Sequence, residues 1–132
     1  MIKKYLLVGS FLASGFLVAQ NQNTEEADQL FANYQYVDAI DEYLELVDKG
    51  KANSYVYKQL GDSYYRIFNI QEAAKWYSKA VQKKQDAETY YNYAQTLKSQ
   101  GKYKEANEQL DKFAELKPKD PRAIAHLKNP NY

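Results

Sequence analysis

Tyr36-Val37-Asp38-Ala39-Ile40-Asp41-Glu42-Tyr43-Leu44-Glu45-Leu46 is the stretch on which the fold turns, because the chain repeats its pattern twice more. Ala39, Ala73 and Ala106 each follow Tyr36, Ile70 and Tyr103 by three residues. Each precedes Tyr43, Tyr77 and Leu110 by four, and Leu46, Ala80 and Phe113 lie three further on. The copies are 34 and then 33 residues apart. Upstream of each copy, Ala27, Gly61 and Ala94 keep the same register, followed three residues later by Leu30, Tyr64 and Leu97. Self-similarity at this period marks a stacked array of short helical units rather than one irregular globule.

Six helical segments and a seventh, shorter one follow from the caps around these units. Asn23 with Glu26 is placed as a capping box for a helix from Thr24 to Asn33. Its partner is expected over Tyr36–Lys49, closed by Gly50, a residue suited to the left-handed cap conformation. Ser54 reads as the N-cap of a third helix through Ile67, and Asn69 with Glu72 opens a fourth to Lys83. Asp86 caps a fifth to Ser99, Gly101 closes it, and a sixth spans Tyr103–Leu116 before Pro118. Asp120-Pro121 reads as the N-cap and first residue of a last short helix. The small residues at 27, 61 and 94, and at 39, 73 and 106, sit where helices must approach closely, with large residues filling the space beside them.

These residues resemble the tetratricopeptide repeat, over roughly Gln20 to Pro118. The resemblance implies an all-α, right-handed superhelix of three helix pairs (about 20–53, 54–86 and 87–118), with a short C-terminal capping helix and the start of a linker over 119–132. Two departures stand out: no tryptophan opens a first helix, and repeat two has Phe68-Asn69 where a turn glycine is usual. Ile124 and Leu127, three apart on the last helix, are expected to seal the open end.

The first 19 residues read differently. Lys3 and Lys4 precede an apolar run from Tyr5 to Val18, then Ala19 and the polar Gln20-Asn21-Gln22-Asn23. That order is expected to be a secretory signal peptide cleaved after Ala19. The run is short for a membrane span of about 20 residues, so no membrane insertion is expected after cleavage. The remaining chain carries 16 basic and 17 acidic residues. Such a balance offers no basic stripe for nucleic acid. With no cysteine there is neither a disulfide nor a lipid-attachment thiol.

Catalysis is not expected. His126 is the sole histidine, beside Arg122 and Lys128, and reads as a solvated surface residue. Without cysteine, and with one histidine, neither a zinc site of ordinary ligands nor a nucleophile–base pair assembles. No cofactor is expected either. The candidate site is instead the concave face that the first helices line in tetratricopeptide arrays. Its outward positions here are Asp28, Phe31, Tyr55, Lys58, Asp62, Tyr65, Arg66, Glu88, Tyr91, Gln95 and Lys98, of which all but Asp28 and Glu88 are partner-binding candidates. Aromatics interleaved with cations can hold an extended peptide or a loop of another protein. The other reading is a solvated inner face whose tyrosines pack sideways. A carboxylate clamp is not expected, because Asp62 stands where an asparagine would serve.

Taken with the leader, the Ala27-Asp28-Gln29-Leu30-Phe31 opening, the tyrosine-rich repeats and the closing Asn129-Pro130-Asn131-Tyr132, the chain resembles a narrower group. It is similar to the N-terminal region of OmpA-family periplasmic proteins of Bacteroidota, in which a tetratricopeptide segment precedes a WD40-like propeller and an OmpA-like peptidoglycan-binding domain. The resemblance implies a periplasmic scaffold docked on outer-membrane protein complex subunits, of an assembly or type IX secretion machine. A link to peptidoglycan would run through a further domain, with the chain either part of a longer protein or a stand-alone relative. The alternative is a soluble periplasmic chaperone or targeting factor that grips exported clients in the groove.

Overall fold

The computed structural model describes residues 23–130; the expected leader with its cut at Ala19, the start of the first repeat at Gln20, and Asn131-Tyr132 lie outside them. Among the described residues there are seven α-helices and no strand. They are α1 Glu25–Ala32, α2 Tyr36–Asp48, α3 Ser54–Arg66, α4 Ile70–Ala80, α5 Ala87–Ser99, α6 Tyr103–Leu116 and α7 Pro121–Lys128. Each helix packs chiefly on its sequence neighbours, and α3 also meets α5. The described chain is therefore an all-α, tetratricopeptide-like repeat: three antiparallel pairs followed by a seventh helix.

The register residues do what close packing requires of them. Ala39, Ala73, Ala94 and Ala106 are fully buried, as are Tyr43, Tyr77 and Phe113. Gly61 has no room for even a methyl group: a Cβ there would lie 2.5 Å from the Tyr77 ring. Ala27, Ala39, Ile40, Tyr43, Val56, Leu60 and Trp76 form one core shared by the first two pairs. The later pairs are held by Ala94, Leu97, Ala106 and Leu110, and by Ala87, Tyr90, Phe113, Ala114 and Ala123. Contrary to expectation, Ile124 and Leu127 do not seal the end: they are 42% and 62% exposed, because α7 inserts Ala123 and His126 instead.

The turns correct the expected caps in several places. Asn53, not Ser54, caps α3, accepting from the Val56 N–H at 3.1 Å. Its extended backbone turns the side chain toward that orphan donor, whereas Ser54 already has helical geometry. The Asn23–Glu26 box does not form. Thr24 precedes α1, and its hydroxyl donates to Asp28 at 2.8 Å instead of capping. At α4, Asn69 does cap, accepting from the Glu72 N–H, but the Glu72 carboxylate accepts from the Trp76 indole rather than reaching back. This helix ends at Ala80, not Lys83: tightened turns at Gln82 and Lys83 follow, and the Gln85 side chain donates to the Ala80 carbonyl. Asp86 and Asp120 cap as expected.

Four helices close with the same paired bonds. The N–H groups of Gln35, Lys51, Asn69 and Lys102 reach five residues back to Leu30, Leu46, Tyr64 and Leu97. This closure demands a left-handed residue just before each donor. Gly50 and Gly101 supply it with φ of 69° and 76°. In the first two pairs Tyr34 and Phe68 adopt it, each at φ 63°. The missing turn glycine thus leaves the turn intact but puts a bulky aromatic in a conformation that side chains resist. Both rings point to solvent, at 78% and 86% exposure.

Candidate protein-interaction groove

The first helices place equivalent residues side by side. Asp28, Asp62 and Gln95 share one register position, as do Tyr55 and Glu88, and Lys58 and Tyr91. The two aspartates turn inward. Asp28 accepts from Tyr43, from Tyr55 at 2.8 Å and from Thr24 at 2.8 Å. One pair later, Asp62 accepts from Tyr77 at 2.5 Å. Burial raises the Asp62 carboxyl above its ordinary range, although the Tyr77 hydroxyl and Lys58 pull the other way. Burial and the adjacent carboxylates push the Tyr43 and Tyr77 hydroxyls far above the usual phenol value, so both remain protonated donors. The pattern stops at the third pair, where Gln95 and Leu110 replace aspartate and tyrosine.

Around this framework the expected site residues divide. Phe31, Lys58, Asp62 and Arg66 border one hollow of about 380 Å³, together with Asp86, Glu88 and Asn92. Tyr91, Gln95 and Lys98 border a second, of about 480 Å³, with Arg122, His126 and Asn129 across from them. Tyr55 and Tyr65 border neither. Tyr55 ties α3 to α1 through Asp28, and Tyr65 packs edge-on against Tyr77 with ring centres 6.5 Å apart. The Tyr91 and Phe113 ring centres lie 5.2 Å apart, and the Arg122 guanidinium sits 4.4 Å from the centre of the Tyr91 ring. Several of the tyrosines thus pack sideways, and the polar and cationic residues between them form the accessible lining.

The charges in the groove are mixed and partly paired. Lys58 Nζ lies 3.6 Å from Asp86. Burial raises the Asp86 carboxyl, but the Thr89 hydroxyl and amide and Lys58 outweigh it, holding the group below the usual carboxylate range. Arg122 grips Glu88 through two bonds at 2.9 and 3.0 Å and turns back onto its own cap, Asp120. That contact lowers the Asp120 carboxyl to about 2. Arg66 is exposed, 6.0 Å from the Tyr36 ring centre, and Phe31 meets the same ring edge-on at 5.3 Å.

The α7 contribution escaped the sequence reading, although its signal was present. Arg122, Ala125 and Asn129 fall 34 residues after Glu88, Tyr91 and Gln95. The last helix therefore occupies the place of a first helix in a fourth pair and extends the groove. His126 falls likewise in the slot of Gln59 and Asn92. Contrary to the expectation of a solvated surface residue, it is 7% exposed, with Nε2 2.7 Å from Asp111 Oδ1. Among the described residues no cluster of His, Cys, Asp or Glu is arranged to hold a metal. None of their helices is long and apolar enough to cross a membrane.

Fold and groove together define a helical-repeat module of the tetratricopeptide type, a class that acts through protein–protein contact. The family model described as anaphase-promoting complex, cyclosome, subunit 3 matches residues 66–128, which include α4 through α7. No curated protein matches the chain.

Proposed function

We propose that this chain is a non-enzymatic periplasmic docking module that joins subunits of an outer-membrane protein complex, of an assembly or type IX secretion machine. A tether to peptidoglycan would be supplied by a further domain. The lysine-led apolar run from Tyr5 to Val18, followed by Ala19, supports export. The resemblance to OmpA-family periplasmic proteins supports the outer-membrane setting.

The observation that carries the docking role is the pair of hollows on either side of α5, bordered by Lys58 and Arg66 in one and Lys98 and Arg122 in the other. Asp62 in the wall of the first hollow is held by Tyr77, and Arg122 in the wall of the second by Glu88 and Asp120. A bound segment then loses its own freedom but does not have to order the receptor as well. Side chains of the partner fill the hollows, and the rim charges set register and encounter rate.

Affinity purification of the tagged full chain from membranes tests this reading, comparing wild type with an Arg66→Glu/Lys98→Glu variant of unchanged helicity. Stoichiometric outer-membrane partners that disappear with the variant are expected. Partners retained at full yield would move the contact off the groove, and a spread of substoichiometric exported clients would favour a chaperone.

A further inference from the structure

A further hollow, of about 420 Å³, lies between the first turn of α3 and the end of α4. Asn53, Ser54 and Tyr57 line one side of it, and Lys79, Gln82 and Lys83 the other. None of the six borders either hollow of the groove. Most of this lining is fixed in place. Tyr57 stacks on Trp76 with ring centres 5.8 Å apart, and the Trp76 indole donates to Glu72 at 3.2 Å. Asn53 accepts from the Val56 N–H at 3.1 Å, and the Gln82 amide donates to the Ser78 carbonyl at 3.2 Å. The Gln85 side chain pins the turn that carries Lys83, donating to the Ala80 carbonyl at 2.8 Å.

The chain around this hollow is basic, although the protein as a whole has a formal net charge of only +1. Residues 49–61 carry three lysines and residues 73–85 four, with no acidic residue in either stretch. Three of these charges are already engaged: Lys49 pairs with Glu45, Lys58 with Asp86 and Lys75 with Glu72. Lys79 and Lys83 are exposed, and among the described residues neither has a carboxylate within ion-pair distance. Two uncompensated cations thus flank an aromatic floor, in a hollow whose lining contains no acid.

We infer that this hollow binds an acidic segment of a partner protein. An apolar side chain of the segment covers Tyr57, and the carboxylates beside it pair with Lys79 and Lys83. Charge complementarity selects the acid. Shape selects a protein segment over a bilayer: Tyr57 is half-buried between two helix ends, whereas an interfacial membrane contact needs apolar side chains that enter the lipid. The fixed lining spares the receptor much of the cost of ordering. Because no lining residue is shared with the groove, the two sites can be occupied together, and this one stands independently of the groove's role.

The probe is a fluorescein-labelled synthetic peptide, Glu-Asp-Phe-Glu-Asp, titrated with the full chain at low salt and followed by fluorescence anisotropy. Saturable binding that weakens with added salt is expected. Glycine in place of the peptide's phenylalanine is expected to weaken it about tenfold. Lys79→Glu/Lys83→Glu, at two exposed sites, is expected to weaken binding by about tenfold or more. Lys117→Glu/Lys119→Glu makes the same charge change outside the hollow and is expected to leave binding unchanged, with both variants helical by circular dichroism. Absence of saturable binding, equal loss in the two variants, or equal affinity for the glycine peptide would each overturn the inference. So would capture of the chain by phosphatidylglycerol vesicles that is lost in Lys79→Glu/Lys83→Glu, since the lysines would then serve a membrane contact.

Discussion

The Tyr77 hydroxyl donates to Asp62 at 2.5 Å, from one helix of the second pair to the other, and Tyr43 repeats the bond to Asp28 one pair earlier. Each bond turns a carboxylate of the concave face into part of the frame. Tyr77→Phe keeps the ring but removes the donor from a largely buried acid. A loss of about 1.5–3 kcal/mol is expected, the range for hydrogen bonds to charged groups, measured by urea denaturation. Tyr43→Phe should behave similarly and also strand Gln59, whose side-chain amide donates to the Tyr43 oxygen at 3.0 Å.

The same acid predicts a pH dependence opposite to that of an ordinary paired carboxylate. Burial raises Asp62 in the folded state, while the unfolded group titrates near the free value of about 3.9. Between those two values the folded chain binds more protons than the unfolded one. Stability contributed by this site therefore falls as pH rises through the window. Asp62→Asn still accepts from Tyr77 but carries no charge. Relative to wild type, its melting temperature should improve from the acid side of the window toward neutrality. A difference that stays flat with pH would show that Asp62 does not titrate in this way.

Gly61 and Tyr77 make the tightest approach between helices of a pair. A methyl group at 61 would meet Cδ1, Cε1 and Cγ of the ring at 2.5–2.9 Å. The ring cannot swing aside cheaply, since it is fully buried, bonded to Asp62, and flanked by Tyr65 and Tyr93. Overpacking costs about 1–3 kcal/mol, and the better helix propensity of alanine returns up to about 1 kcal/mol. Gly61→Ala should thus be destabilising in thermal melts despite adding a good helix former. A variant more stable than wild type would show that the pair can spread at this point.

Phe68 gives the opposite expectation. It is 86% exposed, so its removal forfeits little packing, and its left-handed backbone costs about 1–2 kcal/mol that glycine does not incur. The greater unfolded freedom of glycine offsets part of the gain. Phe68→Gly should leave the chain as stable as wild type or more so, by up to about 1 kcal/mol, in chemical denaturation. Tyr34→Gly should follow it. A clear loss would mean that the exposed ring supports the turn through packing.

The fold was readable in the sequence because helix contact at close range tolerates few residue types, and Ala39, Ala73 and Ala106 recur at the necessary interval. The site was less so. Asp28 and Asp62 lie at positions that face the groove, but their tyrosine donors sit fifteen residues away on another helix, and no local pattern announces a bond across a turn. The role of α7 was legible in principle from the 34-residue step between Glu88 and Arg122. It was obscured because α7 lacks the helix-two signature that makes the other pairs conspicuous. His126 was misread for the same cause: judged beside its charged neighbours it looks solvated, whereas its register slot is the one that buries Gln59.

That buried histidine yields a test of how the array holds its last helix. His126 reaches from α7 to Asp111 on α6, and Ala123 is the other fully inserted side chain of α7. His126→Ala removes both the bond and the volume, an expected loss of about 1–3 kcal/mol from α7 docking. In a solenoid each unit touches only its neighbours, so the damage should remain local. Hydrogen exchange should accelerate through residues 121–128 and the end of α6, while α2 and α3 keep their protection. Asp111→Asn, which retains an oxygen opposite the imidazole, should produce a smaller change in the same segment. Uniform acceleration along the whole chain would instead mean that the array unfolds as one cooperative unit and that α7 is integral to it.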